Sequence, residues 1–443
     1  MHIGLGEHFD SKKLIKFTIP TIAMMIFTSI YGVVDGLFIS NVVGSNAFAS
    51  INLIMPAIMI IGTIGFMIGT GGSAIISKTL GEGNKEEANK YFSMLIYLEI
   101  ILGIIFSIIG FIILEPVAKL LGATEDMMGY CLTYGRVLLV GMVAFILQNS
   151  FQSFMIVAEK PRFGLVITII AGVTNMVLDF LFIYVFKMGV FGAGLATITS
   201  QIVGAIIPLV YFIRKNNSDL KLVKTKFDSK IILKTCGNGS SEMVTKLSMS
   251  LVNILFNMQL MKYAGANGVS AYGIIMYVGF IFSGTYLGYS VGIAPVIGYH
   301  YGAKNIDELK SIYKKSHKIL LITGVVMTLL AELLAPLFAG IFVSYDKELL
   351  NMTINAIRLF SISYIISWFN IFASSFFTAL NDGFVSALIS FLRTLVFQII
   401  MIFLIPSLLG LNGIWVSVVF AELLALIVSI TCYIVNRKKY QYI

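Results

Sequence analysis

The stretch GSNAFASINLIM at residues 44–55 returns as GANGVSAYGIIM at residues 265–276, which is a shift of 221 residues along the chain. Both copies keep their first glycine, the asparagine two residues later and a closing Ile-Met pair. Each copy also leads into a long apolar run. Two related segments at this separation indicate that one ancestral unit occurs twice in the chain.

The same register continues outward from this stretch through turn residues and loop acids. Apolar helices resemble one another by chance, but chance does not preserve one offset through glycines, asparagines and acids. The further matched pairs are Gly81/Gly302, Asn84/Asn305, Glu87/Glu308, Asn149/Asn370, Phe151/Phe372, Ser153/Ser374, Ala158/Ala379, Gly189/Gly410 and Gly192/Gly413. The sequence therefore predicts an internal duplication that covers nearly the whole chain.

The apolar runs are long enough to cross a membrane. Of the 443 residues, 58% are hydrophobic and only 12% are charged, and the mean hydropathy is +0.92, which excludes an ordinary soluble domain. Twelve spans are predicted, at residues 14–40, 47–77, 91–113, 127–157, 163–186, 190–213, 235–261, 267–299, 316–337, 350–379, 384–408 and 412–435.

Basic residues concentrate in every second connection between these spans, and in the two termini. Of the 31 lysines and arginines, 23 lie there, whereas the alternate connections hold only Lys119, Lys187, Lys262 and Lys347. The positive-inside rule then predicts that both termini and the middle loop are cytoplasmic. Membrane orientation explains the net charge of +9, so the sequence does not indicate nucleic-acid binding.

Six spans in each half give both copies the same orientation, so the repeat axis runs along the membrane normal. We expect an all-α integral membrane fold of twelve transmembrane helices, in two six-helix lobes that form a V around a central cleft. The expected domains are an N-terminal lobe at residues 1–213, a cytoplasmic linker at 214–234 and a C-terminal lobe at 235–443.

Charged side chains inside the spans are few, and each is costly enough to suggest a function. Asp35 and Asp179 have no base within a helical turn, and both are predicted in the outer half of the first lobe. Asn175 lies one turn from Asp179, and Thr197 is at a similar depth on the next span. These oxygen donors suit Na⁺, and two close carboxylates also suit H⁺. The alternative is that each acid is separately hydrogen-bonded to backbone or water.

The second copy tests this interpretation, because a scaffold role would keep the polar residues in both lobes. At the four corresponding positions the second half has Phe256, Val396, Ile400 and Val418. The sequence therefore predicts a cation site in the first lobe alone.

The remaining membrane charges leave alternatives open. Glu242 and Lys246 are four residues apart and could neutralise each other. Arg393 and Glu422 are predicted to form a structural ion pair between consecutive helices. No nucleophile with a base, no nucleotide motif and no metal-ligand spacing is present, so the sequence predicts neither an enzyme nor a cofactor.

These residues resemble the multidrug and toxic compound extrusion (MATE) family, in its prokaryotic branch, over essentially the whole chain. The resemblance rests on Pro20, Tyr31 and Asp35 in the first span, Tyr134 and Asn149 in the fourth, Asn175 and Asp179 in the fifth, and Thr197 in Gly-Ala-Gly-Leu-Ala-Thr of the sixth. It implies that Asp35, Asn175, Asp179 and Thr197 bind the coupling cation. It further implies that Tyr31, Tyr134 and Asn149 form a supporting network, and that the first helix bends at Pro20.

The resemblance also implies a function: antiport of cationic, amphipathic drugs against Na⁺ or H⁺ by a monomer in the prokaryotic cytoplasmic membrane. Glu242 would attract the cationic substrate toward the cleft. The expected partners of the protein are small organic cations and the lipid bilayer. Other branches use carboxylates in the tenth span, but residues 350–379 contain neither Asp nor Glu, which argues against a second-lobe cation site. The alternative function is a flippase for a lipid-linked saccharide, which should have a broad, basic cavity.

Overall fold

The computed structural model describes residues 3–344 and 346–443, and within these it omits the side chains of residues 31–38, 40, 41 and 45. The described part of the chain forms helices and the segments that connect them, with no strand. Its helices are α1 (Ser11–Phe38), α2 (Ser45–Gly81), α3 (Lys85–Leu120), α4 (Glu125–Val140), α5 (Met142–Val157), α6 (Pro161–Asp179), α7 (Gly189–Ile213), α8 (Ser229–Gly302), α9 (Ile306–Val343), α10 (Lys347–Ser361), α11 (Tyr364–Ala379), α12 (Gly383–Phe391) and α13 (Phe397–Tyr440).

Eight continuous helical stretches in the described chain are long and apolar enough to cross a membrane. Two further spans are bent pairs, α4 with α5 at 60° and α10 with α11 at 47°. Helix α8 contains a glycine with non-helical angles, Gly265, and supplies two spans. The stretch Gly383–Tyr440, from α12 to the end of α13, is divided in the same way at Gly410 and supplies two more. Within the described residues these breaks and bent pairs give twelve spans, as predicted. We refer to α1–α7 as the first lobe and α8–α13 as the second.

The duplication is visible in the backbone. Gly44 and its counterpart Gly265 both have positive φ, at 115° and 59°, and so do Gly189 and Gly410, at 57° and 62°. A residue with a Cβ rarely adopts these angles, which explains why glycine occupies both copies. Asn84 and Asn305 both cap the next helix, accepting a hydrogen bond from the amide of the glutamate three residues later.

The connection between the lobes is shorter than predicted and is docked on the first lobe. Helix α7 ends at Ile213 and α8 begins at Ser229, where the Asp228 side chain caps it. The backbone amides of Lys221 and Val223 donate to Asn89 Oδ1 and Ser93 Oγ on α3, at 2.5 and 2.8 Å. These bonds hold the connection along α3.

The lobes touch at the end of the molecule that carries the basic loops. There α2 and α8 approach through glycines: a Cβ on Gly81 would lie 2.0 Å from the Tyr299 carbonyl oxygen, and one on Gly239 would lie 1.8 Å from that of Met67. The Asn381 side chain donates across the interface to the Ala74 carbonyl, at 3.0 Å. The V is therefore closed at this end.

The N-terminal residues bridge the two lobes at the same end. The Leu5 amide donates to Glu159 Oε1 of the first lobe at 2.6 Å, and the Phe9 amide donates to Glu308 Oε1 of the second at 2.8 Å. Leu5 and Phe9 are buried in an apolar core made mostly of second-lobe residues. We call residues 3–10 the N-terminal strap.

Candidate functional site

Two of the predicted cation ligands lie on the last turns of α6. Asn175 and Asp179 are one turn apart and face the lobe interior, since 2% and 0% of their surfaces are exposed. Helix α6 ends at Asp179, and a π-helical segment, Phe180–Val185, follows directly. Such π segments often occur at functional sites.

Helix α7 packs beside α6 and carries the third ligand. Thr197 is half-buried, and its hydroxyl donates to the Ala193 carbonyl at 3.0 Å, which leaves the oxygen lone pairs as acceptors. Tyr134 of α4 is fully buried next to Gly194, one turn before Thr197, where a Cβ would lie 3.5 Å from its ring. The predicted network residue Tyr134 thus reaches the same part of the lobe as Thr197.

Asn149 belongs to the contact between α5 and the glycine stripe of α2. Its side-chain amide donates to the Gly62 carbonyl at 3.3 Å, and a Cβ on Gly65 would lie 3.0 Å from its own Cβ. The hydroxyl group of the next residue, Ser150, donates to Glu99 Oε2 on α3 at 2.7 Å. Asn149 therefore links α5 to α2 within the first lobe, and its part in the predicted network stays a prediction.

The predicted residues of the first span are only partly visible. Pro20 lies inside α1, which begins at Ser11. The side chains of Tyr31 and Asp35 lie outside the described residues, and the contact predicted between Asp35 and Asp179 stays a prediction. Helices α1 and α6 do pack against each other.

A cavity of about 350 Å³ lies between the lobes and opens into the second. First-lobe residues Met25, Ser29, Phe66 and Gln152 line one side of it. The second lobe supplies most of the wall, including Glu242, Lys246, Met249, Phe256, Tyr272, Met276, Phe280, Phe360, Tyr364, Arg393 and Glu422. The cavity is thus an aromatic and methionine-rich chamber with four charged groups.

Two of the four charges neutralise each other, as the sequence predicts. Arg393 Nε donates to both carboxylate oxygens of Glu422 at 2.9 and 3.0 Å, and the Asn370 amide donates to Glu422 Oε2 at 2.7 Å. Arg393 lies in a π-helical segment, Leu392–Val396, that joins α12 to α13. Both side chains of this pair line the cavity.

The other two charges form no direct ion pair with each other among the described residues. Lys246 Nζ lies 4.9 Å from the ring centroid of Phe66, across the lobe interface. No ion pair or hydrogen bond to the Glu242 carboxylate is found in the described part of the chain. Of the alternatives left open for Glu242, the structure therefore supports a carboxylate that faces the cavity rather than a pair with Lys246.

A smaller pocket of about 50 Å³ adjoins Glu242, and ten of its eighteen lining residues are serines or threonines. Two of these, Ser374 and Ser390, are 2.8 Å apart, and Ser374 also contacts Ser386 at 3.0 Å. Sequence reasoning missed this cluster and the Phe66–Lys246 contact, because both join residues far apart along the chain. The serine spacing on α11 and α12 was the only sequence signal.

The model of the MatE family matches residues 20–181 and again residues 243–404. The two matches are one in each lobe, in agreement with the duplication found in the sequence and in the backbone. Together they cover well over half of the chain.

Similar curated proteins include the multidrug export protein MepA of Staphylococcus saprophyticus, 24% identical over 412 residues, which are 93% of this chain and 90% of that protein. MepA of Staphylococcus aureus is 23% identical over 431 residues, 96% of this chain and 94% of its own.

Solved structures agree in fold. An outward-facing MATE family multidrug resistance transporter superposes with a TM-score of 0.92, at 24% identity and 98% coverage of both chains. A transporter of the same superfamily from Pyrococcus furiosus, described as having a binding pocket of reversed polarity, superposes with a TM-score of 0.89 at 25% identity, over 98% of this chain and 97% of its own.

Proposed function

This chain belongs to the MatE family of membrane transporters, and we propose that it is a bacterial multidrug efflux antiporter that exchanges organic cations for Na⁺ or H⁺. The observation that carries the proposal is the chamber between the lobes, which combines aromatic walls with the carboxylate of Glu242, a group with no direct ion pair among the described residues. An aromatic cation gains from both, through ring stacking and through charge attraction in a site of reduced dielectric.

The coupling ion is proposed to bind in the first lobe at Asp35, Asn175, Asp179 and Thr197, with Tyr31, Tyr134 and Asn149 in support. The complete burial of Asp179 favours this assignment, because a buried carboxylate needs a counter-ion or a proton. A π-helical segment next to Asp179 gives the helix a point at which ion binding can change its geometry. A bend of α1 at Pro20 would transmit the change.

Ion and drug need not share ligands. In antiport, each binds preferentially to a different arrangement of the lobes, and reciprocal linkage couples them. With the basic loops and both termini on the cytoplasmic side, the arrangement described here is closed to the cytoplasm, because the lobes meet at the basic end. One inward cation contributes about 2.3 kcal/mol for each 100 mV of membrane potential. The transporter is proposed to act as a monomer.

The charge of the chamber argues against the alternative of a flippase for a lipid-linked saccharide. Such a flippase needs an excess of bases for its phosphates, whereas the lining here balances two bases, Lys246 and Arg393, with two acids, Glu242 and Glu422. Glu422 also occupies the guanidinium of Arg393.

The test is ethidium binding and efflux by the native protein and by Glu242→Gln. We expect binding to weaken about tenfold, because the variant keeps the shape of the side chain and removes its charge. Glu332→Gln is the matched control, since Glu332 lies on α9 outside the chamber. If the native protein neither binds nor exports cationic dyes, the proposal is wrong, and lipid-linked substrates become the next assay.

A further inference from the structure

The aromatic face that a cationic drug would use at the lobe interface is already occupied. Lys246 of α8 places its ammonium group 4.9 Å from the ring centroid of Phe66 on α2, and both side chains line the central chamber. A cation over a ring is attracted by the negative face of the π system, and the attraction grows as water is excluded. An organic cation would be attracted to the same ring face.

The other basic side chain of the chamber, Arg393, has a carboxylate partner. Arg393 is held by both oxygens of Glu422. Lys246 is therefore the one base, among the described residues that line the chamber, without a carboxylate partner. Glu242 lies one turn before it on the same helix and also has no ion pair within the described chain. The chamber thus contains an available acid and an aromatic face covered by a tethered cation.

Resting on the proposed function, we infer that Lys246 is a built-in competitor of the cationic substrate and sets its affinity at Phe66. A bound drug displaces the ammonium from the ring, and the ammonium returns when the drug leaves. Because Phe66 and Lys246 belong to different lobes, the competition depends on the arrangement of the lobes. In the arrangement described here, with the basic end closed, the contact is formed and favours release.

The experiment measures ethidium binding to the full-length protein in lipid nanodiscs by fluorescence anisotropy. Lys246→Gln should tighten binding about threefold to tenfold, because the competing cation is gone. Lys246→Arg, which keeps a cation that stacks on aromatic rings, should stay within about twofold of the native protein. Lys262→Gln is the matched control: Lys262 also lies over a ring, that of Tyr263, but neither residue lines the chamber.

The background of Phe66→Leu separates competition for the ring from simple charge repulsion. If Lys246 competes at the ring, adding Lys246→Gln to Phe66→Leu should tighten binding by less than about twofold. The inference is overturned if the gain is equally large in both backgrounds, or if Lys246→Gln alone gives no gain while the native protein binds ethidium. If neither the native protein nor Lys246→Gln binds ethidium, the proposed function is wrong as well. Ethidium binding by the native protein therefore distinguishes failure of this inference from failure of the proposed function.

Discussion

The two lobes share one backbone plan but differ in how they treat charge. Where the first lobe has Asp179, with no exposed surface, the second has Ile400, which is 46% exposed. Where the first has Asp35, the second has Phe256, whose ring stacks on Tyr272 at 5.0 Å. Conversely, Glu422 forms an ion pair in the second lobe at the position where the first has the neutral Gln201.

This difference shows which features of the duplicated unit are scaffold and which are specialised. The glycines with positive φ and the asparagine caps occur in both copies, because the backbone needs them. The membrane acids Asp35, Asp179 and Glu422 do not recur at matched positions, so the shared fold does not require an acid there. The proposed division of labour places ion binding in the first lobe, whereas the aromatic chamber is lined mainly by the second.

The largest effect is expected from a substitution at Asp179, compared with the same substitution at the matched position of the second lobe. Asp179→Asn should reduce ethidium efflux from pump-deficient bacteria by more than about tenfold, because the near-isosteric amide lacks the charge that holds a cation. The matched change in the other lobe, Ile400→Asn, should leave efflux within about twofold. Both variants must reach the membrane in native amounts. Equal losses in the two lobes would contradict the division of labour.

A second large effect concerns the closed end of the V. A side chain at Gly81 would meet the Tyr299 carbonyl at 2.0 Å, so Gly81→Leu should prevent the lobes from closing there. We expect efflux to fall about tenfold, and cysteines placed in the chamber should become reactive from the side of the basic loops. Gly340→Leu is the control, since a Cβ there meets nothing within 4 Å. Unchanged labelling would show that this contact does not gate access.

The ion pair of the second lobe should affect stability more than transport. The side chain of Glu422 is 4% exposed, so Arg393→Met alone leaves a buried charge and should cost about 3 kcal/mol, or about 5 °C in melting temperature. The double variant Arg393→Met/Glu422→Leu should recover most of the loss. A double variant no more stable than the single one would contradict a structural role for the pair.

Much of this comparison could be predicted from the sequence. Hydropathy and charge gave the twelve spans, and one offset revealed the duplication, because apolar length and turn residues are local properties. The 60° bend between α4 and α5, and the π-helical segments beside Asp179 and at Arg393, depend on tertiary packing. The sequence also could not predict that Lys246 contacts the Phe66 ring rather than Glu242, because Phe66 belongs to the other lobe.

The N-terminal strap should give the smallest effect. Glu308 accepts the Phe9 amide and contacts the His8 ring, so Glu308→Ala should loosen the strap at its second-lobe end. We expect efflux to change by only about twofold to threefold, because Leu5 and Phe9 remain buried. Glu348→Ala, on the exposed start of α10, is the control. Hydrogen exchange at residues 3–10 would report the loosening directly, and unchanged exchange would contradict it.

The most direct test of first-lobe coupling uses proteoliposomes in which the Na⁺ and pH gradients are imposed separately. Ethidium transport by the native protein should follow at least one of the two gradients, which identifies the coupling ion. Transport by Asp35→Asn and by Asp179→Asn should no longer respond to that gradient, while both variants still bind ethidium. If either variant transports ethidium with the native response to the gradient, the coupling ion does not bind at the first-lobe carboxylates and the account is wrong.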